Sequence, residues 1–438
     1  MKGTDRRASF TTSVLLTYGS SVGVALLSLV NVLLVARALG AEGRGTVTFL
    51  TTIAMMTSQL GSLGVEEASA NLMGSRVDQR STVAGNALVL AIVLGIVAAG
   101  VVAGLIALFP AIGGSSDPVL LWLALATIPV LILQFYLQFI IRADYGFGVV
   151  NAATVMAPSL NVLVNGLLIA TGLITVATAL ITWIVGQLIA TGLLLGYVHR
   201  RLAGFGAPSP QLARGALGFG LKAHAGRIMK TGNYRLDQWI LGSVAGPREL
   251  GLYSVAVAWA EALFFLPEAL AAVLRPDLVR ASAADAGRRT AAVFRVAVLL
   301  SLPVVAVFIV AAPVLCVVAF GDEFVGSVDD LRILAPGAFG IVAMKVLANA
   351  LVAQGHPMLS NAAIAVSFVL TVVLDILLIP SHGGLGAAIA STVAYTSGGI
   401  AVALIFARTL GLSLRSLLPG RSDARLLLTS ARRPEPAG

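Results

Sequence analysis

The chain has 438 residues, of which 58% are hydrophobic and 11% charged, with a formal net charge of +9 and a mean hydropathy of +0.95. A water-soluble domain carries roughly a quarter of its residues as charges, so this composition excludes a soluble globular protein. It points to an all-α integral membrane protein, because the ~10-residue alternating segments of an outer-membrane barrel are missing and long Ala, Val, Leu and Gly runs suit closely packed spanning helices.

The chain starts with the basic stretch MKGTDRRASF. The apolar segment behind it is too long for a signal-peptide core and has no cleavage pattern, so it is read as an uncleaved first span. About 20 apolar residues cross the hydrocarbon core as a helix. On that criterion spans fall at 10–36, 46–70, 83–109, 118–141, 149–171 and 176–198, then at 217–242, 251–274, 290–319, 331–352, 358–379 and 385–407. The seventh is the weakest by hydropathy, since GRIMKTGNYRLDQWILG (226–242) sets three basic residues and an acid inside it. Cys316 is the single cysteine and excludes an internal disulfide or thiol cluster; a packed apolar thiol is expected. His199, His224, His356 and His382 lack metal-ligand spacing. No phosphate-binding loop or nucleophile motif appears in a suitable context, and the outer segments leave no room for a catalytic domain. The expectation is a non-enzyme with no cofactor beyond a possible coupling ion.

The two sets of six spans match each other. Gly40 and Gly45 in LGAEGRG return as Gly246 and Gly251 in AGPRELG at an offset of 206, and Pro129 returns as Pro336 at 207. Asn151-Ala152-Ala153 and Leu167-Leu168-Ile169 return at 361–363 and 377–379, both at 210. Six helices per half is even, so both halves enter the membrane from one side. The expected architecture is therefore twelve transmembrane helices in two six-helix parallel-repeat lobes, 1–205 and 206–410, around a central cavity, with 411–438 as a basic cytoplasmic tail. The offset of 206 maps the charged stretch onto the first span, so it belongs within the membrane.

With the N-terminus inside, nineteen of the 29 Lys and Arg residues lie on the inner side, four (Arg37, Arg44, Arg248, Arg332) outside and six within spans. That bias orients the protein with both termini cytoplasmic in the cell's inner membrane. The net positive charge then sits beside anionic lipid and does not call for nucleic acid.

At 100° per residue, Arg227, Lys230, Tyr234, Arg235, Asp237, Gln238 and His224 share one face about 160° wide. A charge facing lipid at mid-membrane costs ~3 kcal/mol or more, so this face lines a water-filled cavity for an anionic substrate, or its charges are balanced by ion pairs. Glu261 and Glu268 are candidate pair partners, and Lys345 is a further cavity candidate. Asp237 has Asn31 as its repeat partner, and Asp375 has Asn165, so an amide in the first half becomes an acid in the second. Asp375 sits in an apolar helix with Thr371 one turn away and Ser391 and Thr392 on the next helix, a small oxygen-lined set suited to Na⁺ or H⁺, or else a simple cap near Pro380.

The stretches ARALGAEGRG and RLDQWILGSVAGPRELGLYSVAVAW, followed by LPEALAAVLRPDLVR, resemble the polysaccharide-transport flippases, including the O-antigen flippases. These belong to the multidrug/oligosaccharidyl-lipid/polysaccharide exporter superfamily, with lipid II flippases and multidrug extruders. The resemblance covers essentially the whole chain. It implies two six-helix lobes, alternating access, and an undecaprenyl-pyrophosphate-linked oligosaccharide moved from the inner to the outer leaflet. It also implies membrane lipids and a glycan polymerase or glycosyltransferases as partners, and a cation at acids of the seventh and eleventh helices, here Asp237 and Asp375. Lipid II flippases have more helices and an arginine early in the first, where the first span here, 10–36, has none before Arg37. A drug exporter of the same fold and a non-transport scaffold for glycan assembly are the rival readings; the exporter calls for a more acidic or aromatic cavity.

Overall fold

The computed structural model describes residues 3–420 other than 76, 203, 265–266, 268–277 and 279–280, together with 423. Among the described residues the chain is all helix and turn, without strands. It is a multi-pass membrane protein. Eight stretches are long and apolar enough to cross a bilayer, and two of them, 43 and 53 residues long, contain a backbone break.

By packing, the chain divides into two compact units, Met1–Ser254 and Val255–Gly438. The first unit opens on α1 (Gly3–Gly61), interrupted at Gly40 with φ 68° and ψ −174°. Val35 and Val47 flank that glycine and share one cluster with Ala179. A straight helix would hold residues twelve apart at about 18 Å, so the chain turns back here, and only glycine takes this backbone without strain. There follow α2 (Val65–Ser75), α3 (Arg80–Leu108), α4 (Pro118–Ala126), α5 (Ile128–Ala143), α6 (Phe147–Ala170), α7 (Val176–Arg201) and α8 (Pro210–Val244). Helix starts carry their own signals: Asp117 caps α4, Thr175 and Thr178 form a capping box on α7, and Ser209 caps α8 ahead of Pro210. The Asn86 amide clamps that last cap, donating to the Ser209 carbonyl at 3.1 Å and accepting its N–H at 2.8 Å.

The second unit takes over within α9 (Pro247–Ala262) and adds α10 (Ala283–Pro313), α11 (Ser327–Ala353) and α12 (Pro357–Thr409). Pro313 ends the regular ladder of α10, and one π turn, Val314–Val318, follows it. α12 breaks at Gly383, with φ 55°. Gly386 then lies against the carbonyl of Leu378, so the chain also folds back there. In α11, Gly340 meets the backbone of Tyr395 and Gly399, the close approach that small residues permit between membrane helices. Cys316 is a buried free thiol that donates to the Ser327 carbonyl at 3.6 Å.

Most of each expected span lies in helix where it is described, but turns interrupt the second at 62–64, the fourth at 127 and the eighth at 263–264; the end of the eighth, beyond 264, falls largely outside the described residues. Val93, Ile96, Val97 and Val101 of α3 are exposed, an apolar face suited to lipid. α8 is a continuous helix of 35 residues, yet it is not among the eight apolar stretches.

Candidate functional site

Within the first unit, α8 runs antiparallel to the second half of α1 and packs on α2, and His224, Arg227 and Gln238 of the polar face read from the wheel meet them. Gly220 lies against the carbonyl of Leu63. The His224 Nε2 is 2.8 Å from the Leu60 carbonyl. Thr231 donates to Gln59 Oε1 at 2.8 Å, and Thr52 donates to Gln238 Oε1 at 3.2 Å. Trp239 Nε1 and Ser243 Oγ both donate to the Ile112 carbonyl. Positions 224, 227, 231 and 238 recur at steps of three, four and seven, which is one stripe of a helix. The partners of 224, 231 and 238 descend along α1 through Leu60, Gln59 and Thr52, and those of Arg227 stand at the start of α2, so the seam is a ladder of largely buried polar pairs.

Arg227 is the strongest rung. Its Nε lies 2.9 Å from Glu66 Oε1 and its Nη2 2.9 Å from Glu67 Oε1. The guanidinium carbon stands 4.8 Å from the ring centre of Phe135 and 5.7 Å from that of Phe139. Two carboxylates and two aromatic faces thus hold one planar cation. Glu66 is fully buried. Neither of its oxygens has a hydrogen bond of sound geometry among the described residues, so the contact with Arg227 is a charge contact off the hydrogen-bonding angle.

The other sequence candidates on α8 divide by environment. Asp237 is buried; its Oδ2 accepts from the Tyr253 hydroxyl at 2.5 Å and its Oδ1 from the Gln238 N–H at 2.7 Å. Arg235 is half-buried and donates to the Tyr234 carbonyl at 2.9 Å, while Tyr234 is half-buried and Lys230 exposed. Asn31, the repeat partner of Asp237, accepts from Asn165 at 2.8 Å. In the first half of the duplication, the two positions that carry acids in the second are therefore amides bonded to each other.

Lys345, Asp375, Thr371, Ser391 and Glu261 belong to the second unit. Asp375, Thr371 and Ser391 are all fully buried on α12, and Thr392 donates to the Ile333 carbonyl at 2.6 Å. Lys345 is half-buried on α11, its carbonyl accepting from Asn349, and Glu261 is half-buried on α9. Glu268 lies outside the described residues. The carboxylates that meet Arg227 are Glu66 and Glu67, which the sequence analysis did not pair with it. Phe135 and Phe139, one turn apart, carried no separate signal. A cavity of about 220 Å³ lies elsewhere, between α3 and α4, lined by Ala103, Ile106, Leu121 and Trp122.

A second contact in this unit follows the internal duplication. Gly45 lies against the carbonyl of Pro247, and Gly251 against the carbonyl of Ala41. Both pairs are exchanged by the offset of 206, so the start of α9 and the segment after Gly40 meet through a self-complementary contact. A Cβ at either glycine would overlap backbone.

Residues 34–329 match the profile of a family described as polysaccharide biosynthesis protein, about two thirds of the chain. The chain belongs to this family. Its fold is that of known membrane transporters. A solved multidrug resistance MATE family transporter of the MOP superfamily, inward-facing, has a TM-score of 0.71 at 17% identity, covering 90% of this chain and 95% of its own. The lipid II flippase MurJ, inward closed, has a TM-score of 0.74 at 11% identity, covering 92% of this chain and 89% of its own. A MATE transporter in a bent conformation reaches 0.60 at 18% identity over 96% and 97%. At these identities the likeness is one of fold. No curated protein matches the chain in sequence. In this member of the polysaccharide biosynthesis family, then, the charged stretch is one side of a continuous seam between α8 and α1–α2.

Proposed function

We propose that the protein is a flippase that moves an undecaprenyl-pyrophosphate-linked oligosaccharide from the inner to the outer leaflet by ion-coupled alternating access. In this reading the helices form twelve spans in two six-helix lobes, with both termini on the cytoplasmic side of the inner membrane. One observation carries it: in a family of polysaccharide biosynthesis, α8 bears Arg227, Lys230 and Arg235 against the single acid Asp237. Arginine forks bind pyrophosphate well. A polar glycan needs a wet path along such a face, while its prenyl tail stays in lipid. The coupling ion, Na⁺ or H⁺, is assigned to Asp237 and Asp375, the latter with Thr371 and Ser391. The bonded amides Asn31 and Asn165 support this assignment, because each is replaced by a buried carboxylate in the second half. A buried carboxylate calls for hydrogen bonds, a counter-charge, a proton or a cation.

The test is flipping of a fluorescent, short-chain prenyl-pyrophosphate oligosaccharide in vesicles carrying the purified protein. Losing a charge-assisted hydrogen bond costs about 1.5–3 kcal/mol, so Lys230→Ala and Arg235→Ala are expected to slow flipping by about tenfold or more. Asp375→Asn is expected to remove the dependence on the ion gradient. Unchanged flipping in both cation variants sinks the assignment. Export of cationic drugs that survives those changes favours the multidrug reading, and intact glycan export with a lost protein contact favours a scaffold.

A further inference from the structure

Arg227 holds Glu66 and Glu67 along the edge of the guanidinium that an anionic headgroup would take. Glu67 has a side chain 41% exposed and keeps water, whereas Glu66 is 0% exposed and meets Arg227 as its charged contact. The other polar groups around Glu66 are committed elsewhere. The Tyr136 hydroxyl donates to the Ser62 carbonyl at 2.6 Å, Ser62 Oγ to the Gln59 carbonyl at 2.9 Å, and the His224 ring is bonded to the Leu60 carbonyl. Phe135 and Phe139 close the remaining side of the guanidinium with apolar surface. One cation therefore serves two carboxylates, and the neutral donors that approach the buried one, its own N–H and the Ser62 hydroxyl, make no hydrogen bond of sound geometry with it.

We infer that Glu66 is a proton-binding site of the transport cycle: an anion that takes Arg227 from it leaves a carboxylate that captures a proton. A buried carboxylate without a counter-charge neutralises instead of staying ionised. The step is an O–H bond formed on a Glu66 oxygen with a proton from solvent; no other bond changes. When the anion leaves, Arg227 returns and the proton is released. Anion and proton thus each take one member of the same pairing, so binding of either favours the other. This rests on the reading that Arg227 meets an anionic headgroup, and it is a different site from Asp237 and Asp375.

The experiment uses the detergent-solubilised full chain with inorganic pyrophosphate as the probe, followed by proton uptake from weakly buffered solution and by the infrared band of protonated carboxyl groups. Pyrophosphate is expected to cause proton uptake and to raise that band in wild type and in Glu67→Gln, with both signals lost in Glu66→Gln. Pyrophosphate affinity in the wild type should gain, relative to Glu66→Gln, up to about tenfold for each pH unit lowered, as one linked proton requires. Uptake that survives Glu66→Gln, or pyrophosphate binding without uptake, overturns the inference. If pyrophosphate does not bind at all, the anion reading of Arg227 fails. An acid titration of the unliganded protein then decides Glu66 separately: a carboxyl band absent from Glu66→Gln sustains the proton site, and no such band overturns it.

Discussion

Arg227 sets the energetics at the scale of single residues, because its loss strands a fully buried carboxylate. Breaking a buried ion pair from one side costs about 3 kcal/mol or more, whereas removing both charges costs much less. Arg227→Ala is therefore expected to lower thermal stability sharply, and Arg227→Ala with Glu66→Gln to recover a large part of the loss; a double variant no better than the single one contradicts the pairing. A second residue pair lies at the other end of the chain. Arg295 holds Asp423 at 2.9 Å and the Ser416 carbonyl at 2.6 Å. The Gly420 N–H, and then the Arg295 guanidinium, keep the Asp423 carboxyl below the usual carboxylate range. A lowered value means that this anchoring is fully present above the ordinary Asp value of about 3.9 and is lost as pH falls through the lower folded value. Amide exchange over residues 413–418 should be faster in Asp423→Asn than in wild type at pH 7, with the difference vanishing in acid. The polar stripe of α8 was legible from spacing alone, since Arg227, His224 and Gln238 fall on one face. Its partners were not, because Glu67 is 160 residues away and nothing local marks which helix will face which.

Among the elements, α8 shows why hydropathy fails on a helix whose polar side is satisfied by neighbours. Lys222, Arg227, Lys230, Arg235 and Asp237 would each cost ~2.5–3.5 kcal/mol near the centre of a lone span. In an insertion reporter the isolated segment 210–244 is expected to fail, and the same segment behind residues 1–209 to insert; insertion of the isolated segment would show that its charges need no partners. The internal repeat recovered this helix from sequence where composition rejected it. The same repeat exposes the contact of Gly45 and Gly251, which shows in sequence only as punctuation after Gly40 and Gly246. Backbone cannot yield as a side chain does, so Gly45→Val should force the two segments apart. Overpacking costs about 1–3 kcal/mol where side chains adjust, and this variant is expected at or beyond the upper end. A melting temperature equal to wild type would mean that the contact is not held in the membrane.

For the molecule as a whole, duplication and packing draw different boundaries. The repeat begins anew near residue 206, but α8 and the start of α9 pack on α1 and α2, so the first compact unit runs to Ser254. Sequence periodicity records ancestry; the polar ladder and the paired glycines decide which helices cohere, and neither could be counted without coordinates. Orientation is set by a property that needs no coordinates. Breaks at Gly40 and Gly383 turn two long apolar stretches back on themselves. In the proposed twelve-span arrangement, which counts α8 and α9 with the eight apolar stretches and those two returns, both chain ends share a side. The nineteen Lys and Arg residues that the sequence reading puts on that side, against four on the other, would make it the cytoplasmic one, since the side richer in Lys and Arg stays in the cytoplasm. Fluorescent-protein fusions at either end should therefore glow, while alkaline phosphatase fused after Arg415 should be inactive and the same enzyme inserted after Gly246 active. Activity of the Arg415 fusion would reverse the membrane orientation, and with it the direction of the proposed flipping.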